Sequence, residues 1–438
     1  MSKKKCTDKV ETIQKMLGEF VEAANYESKF SQRDTELNAV RYVQVLVLGW
    51  LKKGEASLND LAAMAQELGI NVTGAAIHAR LNTNAVELLR QVLSQALHEL
   101  PTSQRMPLSR LEMFTAVCIT DSTQVRLPDS LYALFAGTNG VAQVKLQVTL
   151  DYLSGNWIAL DIEAGKSPDQ NSCLPVHQAV AGSLNLFDLG YFKQEHLQAI
   201  AQQQAFFVSR YQSQTALYAP ENDTQVNIVE YLKASCVDEV DIHLRIGGRV
   251  KLPIRLVARR LPKDIADARR RKAKKKMRQN GKTCSPAYLT LLSWDILVTN
   301  LPHDPWASSH IFDLYRIRFQ IEWVFRVWKA QLQVDHFGKH WRIERVLCQL
   351  YAHLIGILLC HQFTAGWLWH QNHEHSFSKC VGIIQLHIDR LMYCIKRHWY
   401  GIRSWVLRLE DSFKRFGRKS KRKKEPSTLQ ILMEWGLS

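Results

Sequence analysis

Acidic residues are scarce relative to basic ones in this sequence, and the imbalance narrows the partners that the protein can bind. The 438 residues include 41 Asp and Glu against 57 Lys and Arg, giving a formal net charge of +16. Such an excess favours a polyanionic partner, because each phosphate that is neutralised releases condensed counterions. DNA, RNA and a membrane surface all fit the charge, so charge alone indicates only a class of partner.

Cysteine pairs with the spacing of metal sites are also missing. The nine cysteines are scattered, and none forms a Cys-x-x-Cys pair with another, so we predict neither a zinc ribbon nor a disulfide framework. A reducing cytoplasm is the compartment that this pattern favours. Four histidines could suggest a zinc site, but no cysteine spacing supports it; they are His361, His370, His373 and His375.

The sequence has no hydrophobic run of membrane-spanning length that is free of polar residues. Residues 1–10 contain lysines but no apolar stretch, so we expect no secretion signal. The most apolar segment, 346–369, is interrupted by polar side chains, which predicts a buried core helix and no membrane span. The interrupting residues are Gln349, His353, His361 and Gln362.

Residues 1–105 are predicted to form a helical DNA-binding region, in which residues 57–82 match the spacing of a helix-turn-helix motif. Ser57 or Asn59 can cap the first helix, and Thr73 can cap the second. The glycine between them can adopt the left-handed conformation that ends a helix.

His78 and Arg80 would lie on the second helix of this motif, within reach of DNA. An ordinary helical hairpin explains the same spacing equally well, so both interpretations stay open.

Between residues 110 and 213 the pattern changes to alternating strands and helices. The predicted strands are 114–121, 144–150, 157–162, 184–188 and 205–211, and the predicted helices are 167–183 and 194–204. A hairpin followed by alternating helices and strands is the order of a ribonuclease-H-like domain. We therefore predict an α/β fold in which Asp121 and Asp188 close two strands that lie side by side.

A second group of strands fills residues 214–304, which we predict to be a β-strand-rich insertion into this core. Residues 241–256 alternate on both sides of Gly247–Gly248, which predicts a hairpin with a two-residue turn. The basic run 269–278 is predicted to be solvated and is compatible with disorder. Residues 291–299 read as one further strand.

A single helix is predicted over residues 310–333, and it carries the pattern Tyr315-x2-Arg318-x3-Glu322-x6-Lys329. At about 100° per residue, these four side chains lie within about 60° of one another. A solvated face with ion pairs would explain any one of them. It explains the set less well, because Tyr and Trp are unusual on an exposed helix.

This pattern resembles the signature of the IS-four (insertion sequence four) family of DDE transposases, with all four residues at the family's spacing. Residues 119–123 (ITDST) resemble the strand of the family's first aspartate, and residues 188–192 (DLGYF) are similar to the segment around its second. The resemblance covers about residues 114–335, with a core glutamate helix at 305–345. The catalytic acids that it implies are Asp121, Asp188 and Glu322.

Three carboxylates suit Mg²⁺ or Mn²⁺, and two such ions about 4 Å apart can serve both ends of an in-line phosphoryl displacement. We therefore expect two Mg²⁺ or Mn²⁺ ions as cofactors. Asp121 would bridge both ions, while Asp188 and Glu322 would each complete one site.

The other site residues implied by the resemblance contact DNA. Tyr315, Arg318 and Lys329 would bind phosphates around the transferred strand end. Trp294 would stack on a base flipped out while a hairpin forms on the flanking DNA. A tryptophan buried in a β core is the competing interpretation of Trp294.

The function implied by the resemblance is transposition: cleavage and strand transfer at the terminal inverted repeats of an insertion sequence, by a cut-and-paste route. The expected partners are double-stranded DNA with those repeats, target DNA and a second copy of the chain, with no membrane. We expect a cytoplasmic protein that associates with the bacterial nucleoid. Residues 346–438, with the basic run 414–424, would support dimerisation. The alternatives are a catalytically silent DNA-binding regulator and a metal-dependent nuclease.

Overall fold

The computed structural model describes residues 3–32, 35–100, 108, 110–337, 342–368, 375–419 and 428–435. The chain divides into two compact units. The first unit comprises Met1–Pro107, Ser122–Ser167 and Ile321–Glu425. The second comprises Leu108–Asp121, Pro168–Gln320 and Pro426–Ser438.

Helices and strands are numbered separately along the chain. The helices are α1 (Lys3–Gln14), α2 (Phe20–Ser28), α3 (Ala39–Lys52), α4 (Leu58–Ala65), α5 (Gly74–Ala79), α6 (Thr83–Glu99), α7 (Leu174–His177), α8 (Gln194–Gln202), α9 (Ile228–Ala234), α10 (Lys263–Gln279), α11 (Pro286–Leu291), α12 (Ser308–Ile317), α13 (Phe319–Ala330), α14 (Ile343–Leu368), α15 (Phe377–Leu386), α16 (Ile388–Lys396), α17 (Ile402–Phe416) and α18 (Thr428–Glu434). The strands are β1 (Val117–Arg126), β2 (Gln143–Asp151), β3 (Trp157–Ala164), β4 (Leu184–Phe187), β5 (Phe206–Arg210), β6 (Leu217–Tyr218), β7 (Glu239–Ile246), β8 (Leu252–Arg260) and β9 (Trp294–Thr299).

The strand order confirms the predicted α/β fold. In the second unit the order is β1-β4-β5-β9-β8-β7-β6. There β1, β4 and β5 are parallel to one another, and the later neighbours pair antiparallel. In the first unit the order is β3-β2-β1, with β2 and β3 forming the predicted antiparallel hairpin. These are the orders expected of a ribonuclease-H-like core.

The strands of the predicted insertion continue the sheet of the second unit. β9 pairs with β5, and β8, β7 and β6 follow in turn. One hydrophobic cluster includes side chains from both sides of this junction, among them Phe207, Ile246, Leu256 and Val298. The insertion is therefore packed as part of the same core.

The caps predicted between the two short N-terminal helices are confirmed. Ser57 and Asp60 form a capping box, in which the Ser57 hydroxyl accepts from the Asp60 N–H at 3.1 Å and the Asp60 carboxylate accepts from the Ser57 N–H at 2.8 Å. Gly69 adopts the left-handed conformation with φ of 75°. The Thr73 hydroxyl caps α5 by accepting from the Ala76 N–H at 3.1 Å.

Arg80 ends α5 and does not lie within it. Its guanidinium donates to the Leu37 carbonyl and, at 3.0 Å, to the Thr35 hydroxyl. It also lies 5.6 Å from the centre of the Phe30 ring. These contacts give Arg80 a structural role, while His78 lies on α5 as expected, and DNA binding by this region stays a prediction.

The helix predicted after β3 was wrong. The helix expected over 167–183 is reduced to the four residues of α7, preceded by a short 3-10 turn at Asp169–Asn171. Pro168 and Pro175 restrict the backbone and remove N–H donors, which limits how far a helix can extend. Sequence periodicity alone did not reveal this restriction.

The turn between β7 and β8 also differs from the prediction. Pairing ends at Ile246 opposite Leu252, so the loop has five residues, 247–251, in place of two. The observed register places Leu244 opposite Ile254. A two-residue turn would instead have paired Leu244 with Lys251. The register is therefore set by apolar cross-strand pairs and overrides the glycine signal.

The basic run 269–278 and the helix predicted over 310–333 also differ from the prediction. The run forms part of the 17-residue helix α10 and is therefore not disordered. The helix expected over 310–333 is divided at Arg318 into α12 and α13. The Arg318 N–H donates to the Tyr315 carbonyl three residues back at 3.2 Å, which marks a local tightening of the helix.

Helix α14 is the buried core helix expected over 346–369, and it begins three residues earlier, at Ile343. Within the part of the chain that the structure describes, it is the one helix long and apolar enough to cross a membrane. Over Ile343–Thr364 its mean hydropathy is 1.5, and 72% of that apolar window is buried inside the protein. It packs against α3 and α6, as expected for a buried core helix.

Candidate active site

Asp121 and Asp188 are brought together by the parallel pairing of β1 and β4. Thr120 is the partner of Phe187 in this pairing, so the next residue on each chain is one of the two aspartates. Adjacent strands lie about 4.8 Å apart. The predicted proximity of the two acids therefore agrees with the geometry of the second unit. The prediction that both acids end a strand was wrong for Asp121, because β1 continues to Arg126, whereas Asp188 directly follows β4.

Helix α12 and the residue after it supply a hydrogen-bond donor to each carboxylate. The Tyr315 hydroxyl donates to the Asp188 Oδ1 atom at 3.3 Å. The Arg318 Nη1 atom donates to the Asp121 Oδ2 atom at 3.2 Å and forms an ion pair with it. Two residues of the sequence signature thus contact the two aspartates directly.

The Arg318 guanidinium is fixed by aromatic rings as well as by charge. Arg318 is 3% exposed, and its guanidinium carbon lies 4.3 Å from the centre of the Phe319 ring and 5.7 Å from that of Tyr315. Cation–π contacts of this kind hold a planar guanidinium in one orientation. The positive charge is therefore already oriented at the edge of the acid pair.

Tyr315 is kept protonated by its surroundings. Burial raises the pKa of its hydroxyl, and the nearby Asp188 carboxylate adds to this effect while Arg318 and Arg210 oppose it. A protonated phenol can donate a hydrogen bond to an anionic oxygen. Tyr315 is thus suited to hold a carboxylate or a phosphate oxygen.

Arg210 is a site residue that the sequence did not single out. It ends β5, and its guanidinium carbon lies 5.7 Å from the centre of the Tyr315 ring. The available signal in the sequence was a cation at the carboxyl end of a predicted strand. Arg210 is not part of a recognisable motif, so this signal alone did not identify it. The site in the second unit therefore includes two arginines.

Glu322 and Lys329 lie on α13 in the first unit. They are seven residues apart, which places them about 20° from each other around the helix. Burial lowers the pKa of Lys329, and the charge of Asp335 acts in the opposite direction. A phosphate close to this ammonium would favour its charged form. Joining of Glu322 with Asp121 and Asp188 in one acid triad stays a prediction.

The donor set fits a hard divalent cation. Asp121 and Asp188 present carboxylate oxygens, the ligands that Mg²⁺ and Mn²⁺ prefer. Among the described residues, no group of three or more His, Cys, Asp or Glu side chains is already arranged to hold a metal ion. The pair of aspartates therefore matches the expected metal in ligand chemistry, and Glu322 would have to complete the set.

Trp294 is buried in this structure. It begins β9, is 4% exposed and belongs to the hydrophobic cluster of the second unit. The guanidinium carbon of Arg260 lies 4.4 Å from the centre of its indole ring. These contacts match the competing interpretation as a core residue, while stacking on a flipped base stays a prediction.

Comparison with known proteins gives consistent matches. Residues 112–359 match the family model described as "Transposase DDE domain". The chain is 29% identical over 416 residues to the transposase of insertion sequence element IS231C from Bacillus thuringiensis subsp. berliner, covering 87% of this chain and 86% of that one. It is 27% identical over 456 residues to the transposase of element IS231F from Bacillus thuringiensis subsp. israelensis, covering 97% and 94%.

Among solved structures, the cryo-EM structure of the piggyBac transposase synaptic complex with hairpin DNA aligns with a TM-score of 0.49 and 10% identity. The alignment covers 96% of this chain and 86% of that one.

Proposed function

Since the chain belongs to the family of transposases with a DDE domain, we propose that it cuts and rejoins DNA at the terminal inverted repeats of an insertion sequence by a cut-and-paste route. The observation that carries this proposal is the in-register placement of Asp121 and Asp188 on parallel strands, each held by a residue of the signature. A purely structural pair of acids would have little need for a buried arginine and a buried tyrosine directed at it.

Asp121, Asp188 and Glu322 would hold two Mg²⁺ or Mn²⁺ ions. When bound, the ions would lower the pKa of an attacking water or hydroxyl and stabilise the leaving oxygen. One carboxylate lies within β1, one directly follows β4 and one lies on α13, and together they would supply the oxygen ligands of the ions. The acids would thereby orient the scissile phosphate relative to its nucleophile.

The remaining signature residues would bind the phosphates of the strand that is cut. Arg318 presents a guanidinium whose planar fork matches two phosphate oxygens, and its aromatic contacts keep it oriented. The Tyr315 hydroxyl would donate a hydrogen bond to an anionic oxygen. Lys329 would gain affinity for a phosphate because its half-buried ammonium lacks full hydration. Each group would stabilise negative charge that develops during phosphoryl transfer.

The other predicted roles concern assembly. Residues 1–105 would recognise the terminal repeats, and residues 346–438 would support a homodimer on two DNA ends that also captures target DNA. Part of the basic run 414–424 lies outside the described residues. Activity on the bacterial chromosome would place the enzyme in the cytoplasm.

The decisive experiment uses purified protein, Mg²⁺ and DNA that carries the ends of the encoding element. We expect Asp188→Asn and Glu322→Gln to reduce strand cleavage by about 10³-fold or more. Asp129→Asn is the matched control, since this acid is 69% exposed by its side chain, and it should cleave like the wild type. Cleavage that survives either active-site substitution would remove the assigned site.

The products separate this proposal from its alternatives. A transposase joins the excised ends to target DNA, a nuclease stops at cleaved DNA, and a silent regulator binds the ends without cutting them. Joined products that depend on the terminal repeats are the expected result.

A further inference from the structure

Helix α10 carries a concentration of positive charge that the active site does not use. From Ala268 to Trp294 the sequence contains no acidic residue. Six exposed cations lie on the C-terminal part of the helix, and they are Arg271, Lys272, Lys274, Lys275, Lys276 and Arg278. Charges of both signs would serve solubility equally well. A helix segment whose charges are all positive therefore indicates a further role.

Four of these cations form one continuous stripe. Arg271, Lys274, Lys275 and Arg278 follow the spacing i, i+3, i+4 and i+7, which places them within about 100° of one another around the helix. The stripe, defined by these four residues, is about 10 Å long. One strand of duplex DNA carries a charge about every 3.4 Å along the axis, so the stripe matches about three phosphates.

Other residues of α10 fix the helix to the protein. Arg269 forms an ion pair with Asp295 at 2.7 Å. Arg270 donates to the Leu289 carbonyl at 3.2 Å and also to the Ser293 hydroxyl. Ala266 is buried. The helix is thus held against the segment that leads into β9, and the two arginines that anchor it are distinct from the stripe.

The stripe is costly in the protein alone. Arg271 and Lys275, and likewise Lys274 and Arg278, are like charges four residues apart, an arrangement that destabilises a helix by a few tenths of a kcal/mol per pair. Among the ion pairs of the described residues, those on α10 involve Arg269 and Arg270 and not the stripe. A polyanion would relieve this repulsion.

We propose that the stripe on α10 binds the phosphate backbone of duplex DNA, independently of its sequence. This inference rests on the proposed function, because it takes DNA as the polyanion. A membrane surface is the poorer fit, since an interfacial helix needs an apolar face to insert, and the other sides of α10 carry the cations Arg269, Arg270, Lys272 and Lys276. The contact would hold DNA beside the insertion strands while the acids act elsewhere on the second unit.

The test is a salt series of DNA binding, performed without divalent metal so that no cleavage occurs. The stripe variant changes Arg271, Lys274, Lys275 and Arg278 to Gln, a residue that favours helices. The control variant changes four exposed cations elsewhere to Gln, namely Arg126, Lys166, Lys233 and Arg249. Both variants carry the same loss of four charges, so a difference between them reports position and not net charge.

With a duplex of arbitrary sequence, each lost phosphate contact should lower the slope of log K against log salt by about 0.9. We expect the stripe variant to lose about three in slope and the control to lose less than one. Equal slopes in the two variants would overturn the inference. Far-UV circular dichroism should show that the stripe variant keeps its helix content, and amide exchange over α10 should slow in the wild type when duplex DNA is added.

Two further arms decide the chemistry of the partner. Vesicles of phosphatidylserine and phosphatidylcholine, and single-stranded RNA of equal charge, should compete poorly with the duplex; equal competition by either would refute the assignment to duplex DNA. Asp188→Asn should lose cleavage and keep the wild-type salt slope. If the stripe variant keeps the wild-type salt slope while the wild type cleaves normally, this inference alone is rejected. Cleavage by Asp188→Asn would instead reject the proposed function.

Discussion

At the residue scale, Arg318 combines a charge with a fixed orientation. Its guanidinium pairs with Asp121 at 3.2 Å and lies over the Phe319 ring at 4.3 Å. A lysine would keep the charge but would lose the planar fork and the stacking contact. The orientation of the cation and its charge can therefore be separated by substitution.

We predict that Arg318→Lys lowers single-turnover strand cleavage by about 10-fold to 100-fold and that Arg318→Ala lowers it by about 10²-fold to 10³-fold. Arg326→Lys is the matched control, because Arg326 also stacks on a ring, that of Trp323 at 4.7 Å, but is exposed. Its cleavage rate should stay near that of the wild type. Equal losses at both positions would show that the effect is not specific to the acid pair.

The sequence indicated some of these residues and missed others for a physical reason. The sequence indicated Asp121, Asp188, Tyr315 and Arg318, which stand in motifs whose spacing follows strands and helix turns. Arg210 reaches Tyr315 only because β5 lies beside β4 in the sheet. Contacts between residues that are distant in the sequence depend on folding, so no local sequence pattern could predict the contact between Arg210 and Tyr315.

At the scale of elements, α12 is supported from the C-terminal end of the chain. Trp435 follows α18, and its ring lies 4.9 Å from that of His310 and 6.1 Å from that of Trp306. Burial raises the pKa of the Asp313 carboxyl, and a hydrogen bond from Trp435 acts in the opposite direction. Trp435 thus contacts α12 at His310 and Asp313, which lie on one side of the helix, and also contacts Trp306 just before it.

We predict that Trp435 acts as a positioning residue for α12, which carries Tyr315. Trp435→Ala should lower the cleavage rate about 10-fold at saturating DNA while leaving DNA affinity unchanged, because the phosphate contacts elsewhere remain. Trp435→Phe should retain most of the rate through ring packing. A loss of affinity equal to the loss of rate would assign Trp435 to DNA binding instead.

Element prediction succeeded where a local signal agreed with tertiary packing. The caps of α4 and α5 formed as expected because each side chain bonds to a backbone group within three residues. The β7–β8 turn was wrong because cross-strand packing set the register. The charge of α10 suggested a solvated run, but its anchoring contacts to Ser293 and Asp295 were not visible in the run itself.

At the scale of the whole molecule, the two units combine segments that lie far apart in the sequence. Residues Ser122–Ser167 group with the N-terminal helices and with Ile321–Glu425. The sequence-based division followed changes in periodicity and composition along the chain. Grouping by contact depends on which buried faces meet, and only the folded structure reveals this.

The buried histidines of α14 make global stability depend on pH. Burial lowers the pKa of His353 to about 4 and that of His361 to about 3. Trp328 also donates its indole N–H to the His361 Nε2 atom at 3.4 Å, which favours the neutral ring. Below about pH 6.5 these histidines bind protons in the unfolded chain but stay neutral in the folded protein. The free energy of unfolding therefore falls as the pH decreases from there.

We predict a loss of about 2 kcal/mol in the free energy of unfolding per histidine between pH 7.5 and pH 5, measured by urea denaturation. His361→Gln can still accept from Trp328, and it should remove about half of the pH dependence assigned to this pair. His98→Gln replaces an exposed histidine and should leave the dependence unchanged. An unaltered pH dependence in His361→Gln would show that this ring is not the source.

The junction between β5 and β9 has an evolutionary consequence. Val208 pairs with Thr299 and Arg210 pairs with Leu297, so the chain that leaves β5 returns beside it in β9, one strand spacing away, about 4.8 Å. The connecting segments between β5 and β9 that lie outside the shared core can therefore change in length without moving the strands that position the aspartates. Related insertion sequences could therefore vary the DNA contacts of these connecting segments while the strands that position the aspartates stay the same.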